Sequence, residues 1–201
     1  MATRHFTRMI LLIISMVIFD LAWSWNQLQG PIMLAILLPK DNRRPFSIHR
    51  VRPAIDIAAE KVRTLVTTSI ECATMYINYA DSMCSSADAM NEAINFYIKN
   101  KSHIFFGPCC DYAAAPVGRQ TKYWNIPMIT TALARDFAEA KADKYPMMTR
   151  VGSSINKMAD FFAKILKEFR WIRVKILYQP KGLDYLADHM CHVTAESLHY
   201  M

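Results

Sequence analysis

Glycine is scarce: the 201-residue chain has five, at Gly30, Gly107, Gly118, Gly152 and Gly182. No two are close enough to form a phosphate-cradling loop or a dinucleotide fingerprint, both of which need clustered glycines for close backbone approach. The G-x-S-x-G nucleophile elbow is absent. Aspartate and glutamate are scattered, with no carboxylate pair after a strand end to suggest acid–base work. Long apolar runs are absent beyond Trp25, where the longest are strand-sized; a membrane span needs about 20 mostly apolar residues. The formal net charge is +7, yet the basic residues are dispersed, apart from a mild cluster at Arg43, Arg44, Arg50 and Arg52. Nucleic-acid binders carry a basic stripe with interleaved aromatics, and none is visible. These absences argue against an enzyme, a cofactor and a nucleic-acid partner, and they point to a binding protein.

What is present begins with a leader. Arg4, His5 and Arg8 precede an apolar run from Met9 to Phe19, and Ala22-Trp23-Ser24 supplies a small-x-small site. That layout predicts a signal peptide over residues 1–24, cleaved after Ser24. An uncleaved anchor is the alternative, and Asp20 interrupts the run against it. The composition is 53% apolar, enough for a real core. The five cysteines are Cys72, Cys84, Cys109, Cys110 and Cys191, and in an exported protein they are disulfide candidates. An odd number leaves at least one free or paired outside the chain. Asn100-Lys101-Ser102 is an N-glycosylation sequon in a polar turn.

Strand and helix signals then alternate. Pro31 to Leu38 reads as a strand buried on both faces. A helix follows from Ser47 to Val66, with Ala54, Ile57, Ala58, Val62 and Leu65 (with Val66) as its apolar face. Met75 to Ala80 is a second strand. Ser85 or Ser86 caps a helix to Lys99, with Ala89, Ala93, Phe96 and Tyr97 on one side. His103 to Phe106 is a third strand, stopped by Gly107-Pro108, and Asp111 to Trp124 a third helix. Ile126 to Thr131 is a fourth strand; Ala132 to Pro146 is less regular, and Met147 to Val151 is extended. Ser153 or Ser154 caps a helix from Ile155 to Phe169. Arg173 to Tyr178 reads as another strand and Leu183 to Leu198 as a last helix. This alternation predicts an α/β protein with a parallel sheet. The expected division is a first lobe over residues 25–151 and the start of a second, incomplete lobe over 152–201.

Two clusters could carry chemistry. His189, Cys191, His192 and His199 lie together, with Asp188 and Glu196 at helical spacing from His192; a metal site is conceivable, but a polar helix face is the better reading. Gly107-Pro108-Cys109-Cys110 follows the third strand and opens a helix. Ligands of open parallel sheets sit beyond the strands' carboxyl ends, and free N–H groups at a helix start attract anions. That turn could hold a chloride or a carboxylate, or simply be a tight turn stapled by a disulfide.

At this point the residues match a family. Gly107 to Gly118, GPCCDYAAAPVG, resembles the GPxCxYAAAPV motif of natriuretic peptide receptors. Leu37-Leu38-Pro39, Phe46 to Ile55 (FSIHRVRPAI), Trp124 with Pro127-Met128-Ile129, Thr149-Arg150-Val151, Lys157-Met158, Trp171 and Arg173 follow the family's order and spacing. The resemblance implies a type I periplasmic-binding-protein fold of two α/β lobes, the second truncated here. It implies a receptor ectodomain on the extracellular side of the plasma membrane or secreted, a peptide-hormone ligand, a homodimer, and a membrane anchor further downstream. It implies that Cys84 pairs with Cys110 and that Cys191 is half of a second-lobe bridge; Cys72 and Cys109 have no counterpart. A chloride would be held by the Cys109 and Cys110 turn with Ser82, and hormone contacts fall on Tyr112 and Arg119. Ser85-Ser86 replaces an acidic contact of the family. A soluble decoy is the main alternative, and a small-molecule sensor of the same fold another, with a carboxylate at Ser47.

Overall fold

The computed structural model describes residues 31–67 and 74–200, with Ser15 and Met16. The expected leader, its cleavage point and Cys72 otherwise fall outside the described residues. The chain divides into two compact units: Met1–Ile32 with Ala58–Tyr76, and Met33–Ile57 with Ile77–Met201.

Five short strands form the sheet: β1 (Ile32–Leu38), β2 (Met75–Asp81), β3 (Ile104–Phe106), β4 (Met128–Thr130) and β5 (Met148–Arg150). Their order is β2-β1-β3-β4-β5. The resolved pairs are parallel, with Ala35 opposite Phe105, Phe105 opposite Met128, and Met128 opposite Met148. The helices are α1 (Ile48–Thr67), α2 (Ser86–Ile98), α3 (Asp111–Trp124), α4 (Asp136–Glu139), α5 (Lys141–Lys144), α6 (Ile155–Glu168) and α7 (Met190–His199). The α/β parallel-sheet class read from the alternation is the class observed.

The connections from β2 to β3 and from β3 to β4 carry α2 and α3, which pack side by side over a shared core. Small residues let them approach: Ala89 and Ala93 of α2, and Ala113, Ala114 and Val117 of α3, are buried with Phe105, Met128 and Met148 in one core. Tyr97 closes the far end by stacking on Trp124, ring centroids 4.5 Å apart. The Ser85 side chain accepts from the Asp88 N–H at 3.3 Å, and that of Ser154 from the Lys157 N–H at 3.3 Å. Of the serine pairs, these two are the caps.

Three expectations need correction. On α1 the buried stripe is Val51, Ile55 and Ala59, of which only Ala59 is fully buried, while Ile57, Val62 and Leu65 are exposed. Both sets have helical spacing, so periodicity alone could not choose between them. Residues 173–178 join no strand. A strand needs a neighbour for its backbone groups, and no second sheet exists among the described residues. The last helix begins at Met190 rather than Leu183, because turns fill 180–188 and His189 adopts a left-handed φ of 58°.

Candidate functional site

The strand order reverses direction between β1 and β3, and ligands of open parallel sheets gather at such a point. Here the chain leaves β1 toward one edge and β3 toward the other. The turn after β3 is Gly107 to Cys110. Gly107 has φ +84°, and a Cβ there would stand 2.1 Å from the Leu37 carbonyl oxygen. Only glycine fits, which ties the motif to the contact between β1 and β3. Cys110 bonds Cys84 across a Cα–Cα distance of 5.4 Å, so this turn is fixed to the turn after β2. That second turn carries Ser82, fully buried, with its N–H on the Leu38 carbonyl at 3.0 Å and its hydroxyl 3.5 Å from the Cys84 N–H. The structure therefore brings Ser82, Cys84, Cys109 and Cys110 to one corner of the sheet.

Cys109 is a half-buried free thiol, its Sγ 3.9 Å from that of Cys110. Burial pushes it up to about 11, although N–H groups of the turn and the Arg44 charge oppose this. It is a poor nucleophile at neutral pH. A cavity of about 380 Å3 opens beside it, bounded by Phe46, Thr131, Leu133, Val151 and Met190. Phe46, Thr131, Leu133 and Val151 follow the ends of β1, β4 and β5, so the cavity lies where the fold predicts a ligand. Ser47, the carboxylate holder of the small-molecule-sensor alternative, is buried, and its hydroxyl donates to Asn42 Oδ1 at 3.3 Å.

A second cavity, of about 390 Å3, lies along the outer flank of α3. Tyr112 and Arg119 both line it. They are seven residues apart, two helical turns, and so share a face. Tyr112 is half exposed and meets the His189 ring edge-on at 4.9 Å. Arg119 donates its Nε–H to the Tyr145 hydroxyl at 3.1 Å, and Tyr145 donates to Asp136 Oδ2 at 2.9 Å. Asp111 borders both cavities. Its carboxylate accepts from the Leu133 N–H at 2.6 Å and the Ala134 N–H at 2.9 Å, fixing the loop after β4 against the start of α3. Burial raises its pKa, opposed by those two bonds and the Arg150 charge.

The remaining predicted residues stand apart. Asn100 is exposed after α2 with φ 51°, a conformation asparagine tolerates. Cys191 is a half-buried free thiol near the turn at Gly182. His192 lies 3.4 Å from the Tyr178 hydroxyl, and among the described residues no three His, Cys, Asp or Glu side chains form a metal cluster. Sequence reasoning missed Arg44, which pairs with Asp188 at 2.8 Å, and the Tyr145–Asp136 pair. The first joins side chains far apart in sequence and the second joins residues of an irregular stretch without periodicity, so no local signal marks either. No helix among the described residues is long and apolar enough to cross a membrane.

Comparison with known proteins adds the family. The model described as "Receptor family ligand binding region" matches residues 50–196, from the first turn of α1 into α7. The chain is 32% identical over 177 residues to Atrial natriuretic peptide receptor 3 of Rattus norvegicus, covering 84% of this chain and 32% of that protein. It is 27% identical over 155 residues to Atrial natriuretic peptide receptor 2 of Bos taurus, covering 76% and 14%. The chain thus spans about a third of the length of the receptor 3 relatives. An ABC transporter substrate-binding protein from Desulfitobacterium hafniense superposes with TM-score 0.64 at 14% identity, over 86% of this chain and 46% of that one. That likeness shows the periplasmic-binding-protein-like fold. A match that runs through four of the five strands, on a sheet of that fold, means that the chain belongs to the receptor family ligand-binding region, with natriuretic peptide receptors among its relatives.

Proposed function

We propose that this chain is the extracellular ligand-binding region of a plasma-membrane receptor and takes a peptide hormone along the outer flank of α3. The observation that carries the reading is the placement of Tyr112 and Arg119 on one cavity, the two positions that the natriuretic-peptide-receptor motif marks for hormone contact. An aromatic ring and a guanidinium two turns apart suit a peptide, the ring by burying apolar area and the guanidinium by bonding oxygens. The chemistry is binding, without turnover, and signalling would require a pair of copies joined to a membrane anchor.

A chloride ion is part of the proposal. The corner of Ser82, Cys109 and Cys110 fits an anion: a buried hydroxyl and the N–H groups that open α3 lie together. Bound there, chloride would supply fixed negative charge; the residues themselves hold the turn in shape.

The test expresses the complete transcript in cultured cells and measures saturable binding of labelled atrial natriuretic peptide. Tyr112→Ala and Arg119→Ala should each weaken it about tenfold or more, the size of an interface anchor, and sodium gluconate in place of chloride should weaken the wild type. Binding that neither substitution alters would move the site elsewhere, the cavity beside Cys109 being the next place to look. No saturable binding at all would sink the peptide reading.

A further inference from the structure

Arg119 does not stand free at its cavity. Its Nε–H is committed to the Tyr145 hydroxyl at 3.1 Å, its guanidinium carbon lies 5.6 Å from the centre of the Tyr145 ring, and its NH2 is 3.9 Å from Asp136 Oδ2. The Tyr145 hydroxyl has one proton, and that proton goes to Asp136 Oδ2 at 2.9 Å. The hydroxyl therefore meets Arg119 with a lone pair, which is what an N–H donor needs. Asp136 is itself anchored by Lys144 at 3.5 Å. The direction of the whole chain of bonds is thus fixed, Arg119 to Tyr145 to Asp136.

The ring of Tyr145 is fully buried. Phe137 meets it edge-on at 5.0 Å, and its backbone carbonyl accepts from Lys141 Nζ. Gly118, next to Arg119 on α3, makes room for it: a Cβ there would stand 3.2 Å from Tyr145 Cδ1 and 2.3 Å from Met148 Cε. A rigid, buried ring thus borders the cavity with its hydroxyl held beneath the one arginine of the YAAAPVGR segment. Burial and the neighbouring Asp136 raise the Tyr145 pKa, so it remains a proton donor. Among the described residues no protein acceptor is bonded to NH1 of Arg119, which leaves that edge for a ligand.

We propose that Tyr145, backed by Asp136, is a positioning residue that holds Arg119 with one guanidinium edge turned to an acceptor oxygen of the ligand. The inference rests on Arg119 being a ligand contact. Without the hydroxyl, the long side chain regains rotamer freedom that binding must then remove.

The experiment is a double-mutant cycle on the full chain, with labelled atrial natriuretic peptide as probe and thermal unfolding measured in parallel. Tyr145→Phe keeps the packed ring and removes only the hydroxyl. It should weaken binding about 3- to 10-fold, the range of one hydrogen bond. In an Arg119→Ala background the same change should have no further effect. Asp136 is half exposed, so Asp136→Ala tests the relay without disturbing the core and should show the same coupling to Arg119. An equal loss in both backgrounds would mean that Tyr145 acts only through stability, and would overturn the proposal. So would unchanged binding by Tyr145→Phe and Asp136→Ala alongside a clear loss in Arg119→Ala, which would leave the ligand site itself intact. Unchanged binding by Arg119→Ala would instead remove the reading on which the proposal rests.

Discussion

Asp111 performs two tasks that pull in opposite directions. Its carboxylate satisfies two backbone N–H groups, of Leu133 and Ala134, that have no strand partner. Its burial penalises the charge, and the balance raises its pKa. A carboxyl whose pKa is higher folded than unfolded favours the fold most when protonated, below the unfolded value near 4. That contribution is lost as pH rises through the folded value. At neutral pH an uncharged isostere should therefore be tolerated: Asp111→Asn keeps an acceptor oxygen and should match or exceed wild-type stability at pH 7. Asp111→Ala leaves both N–H groups unpaired and should cost about 1–3 kcal/mol. Urea unfolding of the two variants at pH 7 checks this, and a destabilised Asn variant would mean the charge itself holds the loop. Cys109 offers a second test at this scale. With its thiol pushed up to about 11, against an ordinary 9.0, its thiolate fraction at pH 8 is about 100-fold below that of an ordinary cysteine. Because a thiolate of higher pKa is also the stronger nucleophile, native alkylation followed by peptide mapping should find Cys109 slow by about tenfold or more, and reaction at the rate of a free model thiol would contradict its burial.

Among the elements, the turns after β2 and β3 depend on each other through Cys84 and Cys110, which are 26 residues apart. Closing a loop of that length stabilises by about 3–4 kcal/mol in the chain-entropy picture. The paired substitution Cys84→Ser/Cys110→Ser should lower the unfolding free energy by that order in denaturant titration; a change under 1 kcal/mol would show that Gly107 and Ser82 hold the corner without the bridge. The elements also show what could be read beforehand. The strands β1 to β5 and the helices α1 to α3 were legible because each carries a short apolar run, several of them bounded by glycine, proline or a capping serine, signals that act within a few residues; the four-residue helices α4 and α5 carry no such pattern and were read only as irregular chain. The GPCC turn was legible because Gly107 must be glycine. The stripe of α1 was not, because the stripes 51-55-59 and 54-58-62 are equally periodic. Residues 173–178 were misread for a related reason: RVKILY has strand composition, yet strand formation depends on a neighbour that composition does not supply. Tyr112 and Arg119 were placed by a motif, whereas Tyr145 belongs to no repeat and was found only by tracing what Arg119 touches.

On the scale of the whole molecule, the apolar residues of the sheet are packed with α2 and α3, whereas those that follow α6 are not. Ile172 is 92% exposed and Leu177 is 87% exposed. Trp171, Val174 and Tyr178 beside them are about half exposed. Apolar residues grouped this closely on a surface mark a face that another layer covers, and the substrate-binding neighbour extends over more than twice the length matched here. In the 201-residue chain that face meets water, where an extended apolar segment invites pairing between copies. The paired substitution Ile172→Lys/Leu177→Lys should therefore leave thermal unfolding of the sheet unchanged while lowering both the fluorescence of a bound apolar dye and the light scattering of concentrated solutions. The charges would sit where the side chains already face solvent, and they would repel a second copy. If the variant instead lost its cooperative transition, the segment would have to be packed within the fold that carries Tyr112 and Arg119, and the cavity along α3 would need the second layer to keep its shape.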